Sequence, residues 1–189
     1  LSHIDAVHQA WLTGSDYALV LEDDVRLGNR FFSELKTVIE KTPTDWELIQ
    51  LATNNPSAYA RFARMRYETS ISWIPQHWSS AAILYSRAGL QTVMHAFSDG
   101  DVYTIGRDGI VVADEALYYR TISYSYFSPF VSLVDVGPTS LQDSIPPKVL
   151  RSRQQELERI HAHHRYASHG HMKENKRVCN HMIVLLFVK

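Results

Sequence analysis

Apolar residues recur along this chain at two spacings, one helical and one strand-like. Ile4, Val7, His8, Trp11 and Leu12 fall at helical spacing behind Ser2, a suitable N-cap, so residues 3–12 predict an amphipathic helix. Thr13-Gly14-Ser15-Asp16 stops it. Tyr17 to Leu21 is a continuous apolar run bounded by turn signals. That pattern suits a strand buried on both faces, as in a parallel sheet. From Asn29 to Lys41 the apolar positions 31, 32, 35, 38 and 39 predict a second amphipathic helix, with Pro43 after its end. Trp46 to Leu51 predicts the next strand, and Asn54-Asn55-Pro56 a turn. Residues 57–68 are rich in Arg and Tyr and have no clean period. Ser70 to Pro75 suits an edge strand, and Ser80 to Tyr85 a short buried one.

Ser86 is placed to cap a helix over 87–97, with Leu90, Val93, Met94 and Phe97 on one face. Ser98-Asp99-Gly100-Asp101 reads as a loop, and Ala113 to Tyr119 as a short helix. Tyr124 to Val134 is aromatic and β-branched, with Pro129 marking an edge or a break. Turns follow at Gly137-Pro138 and Pro146-Pro147. Strands alternating with helices predict an α/β fold with a mostly parallel sheet flanked by helices. The character changes after residue 147, so the expected division is a domain over 1–147 and a charged, His-rich tail over 148–189. Within that tail Met182 to Val188 is apolar, suited to a last strand or to a partner-binding segment.

Composition narrows the function classes. Hydrophobic residues are 45% and charged residues 21% of the 189, which places the chain with globular proteins rather than disordered ones. The formal net charge is −1, without the basic excess of a nucleic-acid binder. The single cysteine, Cys179, excludes a disulfide scaffold. No apolar run reaches the roughly 20 residues of a membrane span. A lone cysteine and no visible signal peptide favour the cytoplasm. An excerpt of a longer protein, which a chain opening on Leu1 suggests, could equally come from a membrane-peripheral or secretory protein.

The sharpest chemical feature is Glu22-Asp23-Asp24, directly after the apolar run. Three adjacent carboxylates repel one another unless a cation or hydrogen-bond donors offset the charge. In open α/β sheets ligands sit beyond the carboxyl ends of the strands. Glu22 and Asp24, two apart, point to one side of an extended chain. Hard oxygen ligands of this kind suit Mg²⁺ or Mn²⁺ shared with a substrate diphosphate, and a solvated acidic turn is the plainer alternative. His77-Trp78 could contact a sugar or simply pack as a core pair. Asn54-Asn55 would lie on the ligand side of a parallel sheet or merely make a turn. His161, His163, His164, His169 and His171 suit either zinc or nickel binding or a His-rich tail. No cysteine or carboxylate there completes a recognised zinc spacing.

Ser2-His3-Ile4 opening a helix, followed by ALVLEDDV over 18–25, resembles glycosyltransferase family 25. That family includes bacterial lipooligosaccharide galactosyltransferases and procollagen galactosyltransferases. In it an "SH" begins a helix ahead of an "LEDD" strand that serves as the DxD-type motif of a GT-A fold. Trp46 to Leu51, Ser79 to Gly89 (SSAAILYSRAG), Ala113-Asp114-Glu115 and Pro129 to Ser144 resemble later segments, so the likeness spans roughly residues 2–145. The family carries a further stretch before the SH helix, which implies that this chain is an excerpt or a reduced protein. The tail over 161–189 has no counterpart in it.

The resemblance implies a GT-A-like, Rossmann-like sheet and transfer of a hexose, galactose in this family, from a UDP-sugar to a hydroxyl of a glycan or glycoprotein. It implies Mn²⁺ or Mg²⁺ held by Asp24 and Glu22. Glu22, Asp23 and His77 would contact the nucleotide-sugar. An inverting reaction needs a base, and Asp114 is the expected one, with Glu115 its competitor. A surface acid at a helix start is the plain alternative for Asp114. Two rival functions remain open: a non-catalytic remnant that binds a partner or glycan, and a Mg²⁺-dependent phosphate-ester hydrolase. The second lacks a recognisable nucleophile motif.

Overall fold

The computed structural model describes residues 2–53, 72–73, 79–99, 102–103, 113–126, 131–133 and 182–186. Helix α1 (Ser2–Leu12) leads through a turn at Gly14 into strand β1 (Tyr17–Leu21). After the acidic turn come β2 (Val25–Leu27), α2 (Phe31–Lys41), β3 (Leu48–Gln50) and β4 (Ser72–Trp73). Then follow β5 (Ala82–Ser86), α3 (Arg87–Phe97), β6 (Ser98–Asp99) and β7 (Val102–Tyr103). Helix α4 (Ala113–Arg120), β8 (Ser123–Ser125), β9 (Val131–Leu133) and β10 (Met182–Leu186) complete the order.

The main sheet has six strands in the order β10-β1-β5-β3-β8-β4. Strands β2 and β9 form a separate antiparallel ribbon, and β6 with β7 a short hairpin. The expectation of a mostly parallel sheet is corrected to a mixed one. Two of the five pairings, β10–β1 and β3–β8, are parallel, and the other three are antiparallel. The cause is where the chain re-enters. It leaves β3 at Gln50 and enters β5 at the same end of the sheet, because Gln50 pairs with Ile83. A parallel strand would need a crossover back to the opposite end. The apolar run of β5 is buried on both faces and reads the same in either direction.

Side chains of the central strands alternate between two cores, as a strand period of two requires. Ala18, Val20, Leu48, Ile83 and Tyr85 pack with Ile4, Val7, Leu90, Val93 and Phe97 under α1, α3 and α4. Leu19, Leu21, Ile49, Ala82 and Leu84 pack on the opposite face with Phe31, Leu35 and Val38 of α2, together with Tyr124 and Val131. The result is a layered α/β arrangement with the sheet in the middle. Arg87 fastens the end of α1 to the start of α3. Its guanidinium lies 3.7 Å over the Trp11 ring and donates to the Trp11 carbonyl at 2.8 Å.

Residues 182–186, in the stretch expected to be tail, pair in parallel register with β1, so the strand option for the apolar end is the one realised. The ambiguous segment 57–68, Asn54, Asn55 and the histidines over 161–171 lie outside the described residues. Among the described residues no helix is long and apolar enough to cross a membrane.

Candidate functional site

The carboxyl ends of β1 and β3 and the beginning of β5 lie at one end of the sheet, since Leu21 pairs with Ala82 and Gln50 with Ile83. Ser125, at the end of β8, pairs with Gln50 in the same place. The acidic turn lies at this end. Val25 N–H donates to the Glu22 carbonyl at 3.2 Å, which closes a tight turn over Glu22-Asp23-Asp24. Glu22 N–H donates to the Ala81 carbonyl at 2.8 Å, so pairing of β1 with the approach to β5 continues into the turn. Asp23 is exposed, and Glu22 and Asp24 are half-buried.

Glu22 continues the side of β1 that carries Ala18 and Val20, and so belongs to the face covered by α1, α3 and α4. The Ser80 hydroxyl donates to Glu22 Oε1 at 2.7 Å. Asp24 Oδ1 is buried. Carboxylate oxygens are hard donors of the kind Mg²⁺ and Mn²⁺ take. Among the described residues no three His, Cys, Asp or Glu side chains gather as a metal group. The expected mode needs only one or two carboxylates, the other ligands being diphosphate oxygens and water.

Beside the turn runs a buried polar network that joins β3, α4, β8 and the segment before β5. The Ser79 carbonyl accepts two hydrogen bonds, one from Gln50 Nε2 at 3.0 Å and one from the Tyr118 hydroxyl. Gln50 Oε1 accepts from the Ser125 hydroxyl at 3.0 Å. Ser79 Oγ in turn accepts from Ala81 N–H at 3.2 Å. Gln50, Ser79, Tyr118 and Ser125 are all buried, and mutual satisfaction is what makes their burial tolerable.

Asp114 stands in the first turn of α4, where a carboxylate is favoured by the helix dipole. It is half-buried and precedes Tyr118 by four residues, so the two share one face of the helix. Burial raises the Tyr118 phenol well above the ordinary tyrosine value, and the charges of Asp114 and Glu22 raise it further. Tyr85 is raised in the same way, first by burial and then by Asp114. Both phenols therefore remain hydrogen-bond donors at any physiological pH.

His3 Nε2 and the Tyr85 hydroxyl are 2.7 Å apart, with the rings edge-to-face at 5.9 Å. Desolvation lowers the His3 imidazole to about 4, so it is neutral near pH 7. The "SH" histidine thus tethers the start of α1 to β5 as an uncharged imidazole. His77 and the side chain of Glu115 lie outside the described residues.

Sequence reasoning missed Gln50, Ser79, Ser80, Tyr118 and Ser125 as members of one site. The signal in the sequence is slight: polar residues at the very ends of otherwise apolar strands, in WELIQL and before AAILY. No protein-family model, curated protein or solved structure matches the chain.

Proposed function

We propose that the chain is a metal-dependent glycosyltransferase with a GT-A-like sheet. It would move a hexose, galactose by the family resemblance, from a UDP-sugar to a hydroxyl of a glycan or glycoprotein. One observation carries this reading. Ser80 holds Glu22, the adjacent Ser79 carbonyl accepts from the Tyr118 hydroxyl, and Asp114 lies one turn before Tyr118 on α4, which supports a site drawing carboxylates from two distant parts of the chain. A transferase needs both, one set to hold a cation and diphosphate and one to take a proton from the acceptor.

In this reading Asp24 and Glu22 would hold Mn²⁺ or Mg²⁺, and the cation would supply positive charge opposite the departing diphosphate. Ser80 occupies one oxygen of Glu22 and fixes its orientation. Asp23, exposed at the tip of the turn, would contact the ribose. Asp114 takes the proton of the acceptor hydroxyl as that oxygen attacks the anomeric carbon.

The test is calorimetry of UDP and UDP-galactose with and without Mn²⁺, on the wild-type chain and on Asp24→Ala. Binding that requires Mn²⁺ and is lost in Asp24→Ala supports the transferase. A folded wild-type chain that binds neither nucleotide overturns it and leaves a scaffold that acts by binding a glycan or a partner.

A further inference from the structure

Tyr118 has no part in the chemistry proposed above, yet its hydroxyl reaches the segment that holds Glu22. Its hydroxyl donates to the carbonyl of Ser79. The next residue, Ser80, donates to Glu22 Oε1 at 2.7 Å. The residue after that, Ala81, receives the Glu22 N–H at 2.8 Å. The segment 79–81 therefore grips Glu22 through one side-chain and one main-chain bond. Four residues before Tyr118, on the same face of α4, is Asp114.

The Ser79 carbonyl has two lone pairs, and Gln50 and Tyr118 fill both. Gln50 ties the segment to the sheet, whereas Tyr118 ties it to a helix. Only the second bond relates the acidic turn to Asp114. Helix α4 is anchored at its C-terminal end, where two residues separate Arg120 from β8, and by Ala116 and Leu117 in the core. The Tyr118 hydroxyl adds the polar tie from α4 to the carboxyl end of the sheet.

We propose that Tyr118 is a positioning residue whose hydroxyl fastens α4, and with it Asp114, to the Ser79–Ser80 segment that grips Glu22. This rests on the transferase reading for its consequence, but the mechanical link can be tested without it. Tyr118→Phe keeps the ring in the core and removes only the hydroxyl. Ser80→Ala cuts the far end of the same chain of contacts. Tyr124→Phe is the control, because it removes a comparable phenol bond, to Asp45 at 3.2 Å, on the other face of the sheet.

Amide hydrogen exchange is read at Ala81, at Glu22 and along 113–118. Loss of one buried hydrogen bond is worth up to about a tenfold change in local opening. Tyr118→Phe is expected to speed exchange about tenfold at Ala81 and Glu22 as well as in α4, and Tyr124→Phe to leave all three at wild-type rates. Mn²⁺-dependent UDP binding is expected to weaken about three- to tenfold in both Tyr118→Phe and Ser80→Ala, with no acidic residue altered. Ser80→Ala is expected to leave exchange along α4 unchanged, and it carries the binding arm should Tyr118→Phe fail to fold.

Faster exchange confined to α4 in Tyr118→Phe, with Ala81 and Glu22 unchanged, overturns the proposal. So does unaltered Mn²⁺–UDP affinity in both variants. If the wild-type chain binds no Mn²⁺–UDP, the transferase reading falls, and the exchange rates at Ala81 and Glu22 alone decide whether Tyr118 makes the link.

Discussion

Replacing Gly89 with alanine sets two principles against each other. Gly89 is the third residue of α3, and an alanine in a helix is ordinarily about 1 kcal/mol better than a glycine. The local packing points the other way. A Cβ at this position would lie 1.9 Å from the Glu47 carbonyl oxygen, 2.6 Å from its carbon and 3.1 Å from its Cα. All three are main-chain atoms at the entry to β3, so no side chain can swing aside. The start of α3 must lift away from the sheet by more than an ångström.

Three contacts are tied to that position. Ser86 Oγ caps the helix by accepting from Gly89 N–H at 3.1 Å. Ser86 N–H donates to the Glu47 carbonyl at 3.0 Å, and Ser86 Oγ donates to the Trp46 carbonyl at 3.0 Å. Loss of the cap costs about 1 kcal/mol, and a weakened main-chain bond about 1 more. Overpacking strain adds roughly 1–3 kcal/mol, and the helix gain returns about 1. The net expectation is a loss of about 2–4 kcal/mol. For a chain of this size that is a fall in Tm of roughly 5–15 °C. Urea and thermal denaturation of Gly89→Ala, beside Gln91→Ala on the exposed side of the same helix, measure it. Gly89→Ala as stable as the wild type, or more stable, refutes the close approach.

Two further outcomes follow from the candidate site. Because desolvation lowers His3 from 6.5 to about 4, the unfolded chain takes up a proton there that the folded chain resists. Stability from this source is present above pH 6.5 and is lost as pH falls toward 4, by up to about 3 kcal/mol and by less in so far as the residue stays partly exposed. The stability difference between wild type and His3→Gln should therefore shrink by up to that amount between pH 7.5 and pH 4 in urea titrations; parallel pH profiles would count against it. Asp114→Asn should retain Mn²⁺-dependent UDP affinity and lose about 10²- to 10⁴-fold in turnover of UDP-galactose, the range for removal of a general base. A loss of affinity with unchanged turnover would assign Asp114 to the donor instead.

The elements legible in the sequence are those whose own residues determine them. β1 runs from Tyr17 to Leu21, as its apolar run implies, and α3 begins after Ser86 because that side chain does cap it. Glycine in SRAG has a local explanation only once β3 lies beneath it. β2 and β6 to β7 were not foreseen, because two- and three-residue strands exist through a partner rather than through their own pattern. α2 starts at Phe31 rather than Asn29, with no side-chain cap on Arg30 and Phe31 N–H turned back to the Gly28 carbonyl at 2.9 Å. The direction of β5 was illegible for a similar reason: burial on both faces fixes composition, and only the path of the preceding segment fixes direction.

The site divides in the same way. The acidic turn is contiguous, so its charge density is visible in a string of letters. The network beside it joins residues 29 to 75 positions apart, through Ser79 to Gln50, Ser79 to Tyr118, Ser80 to Glu22 and Ser125 to Gln50. None of these residues is distinctive alone. A serine before a strand reads as a turn, a glutamine at a strand end as surface, and a tyrosine in ADEALYYR as core. Their polar atoms become informative because they are buried and answer one another, which is a property of the folded sheet end. That is also why the first effect of removing the Tyr118 hydroxyl should appear at Ala81 and Glu22, which the sequence sets far from it and the fold connects to it through Ser79.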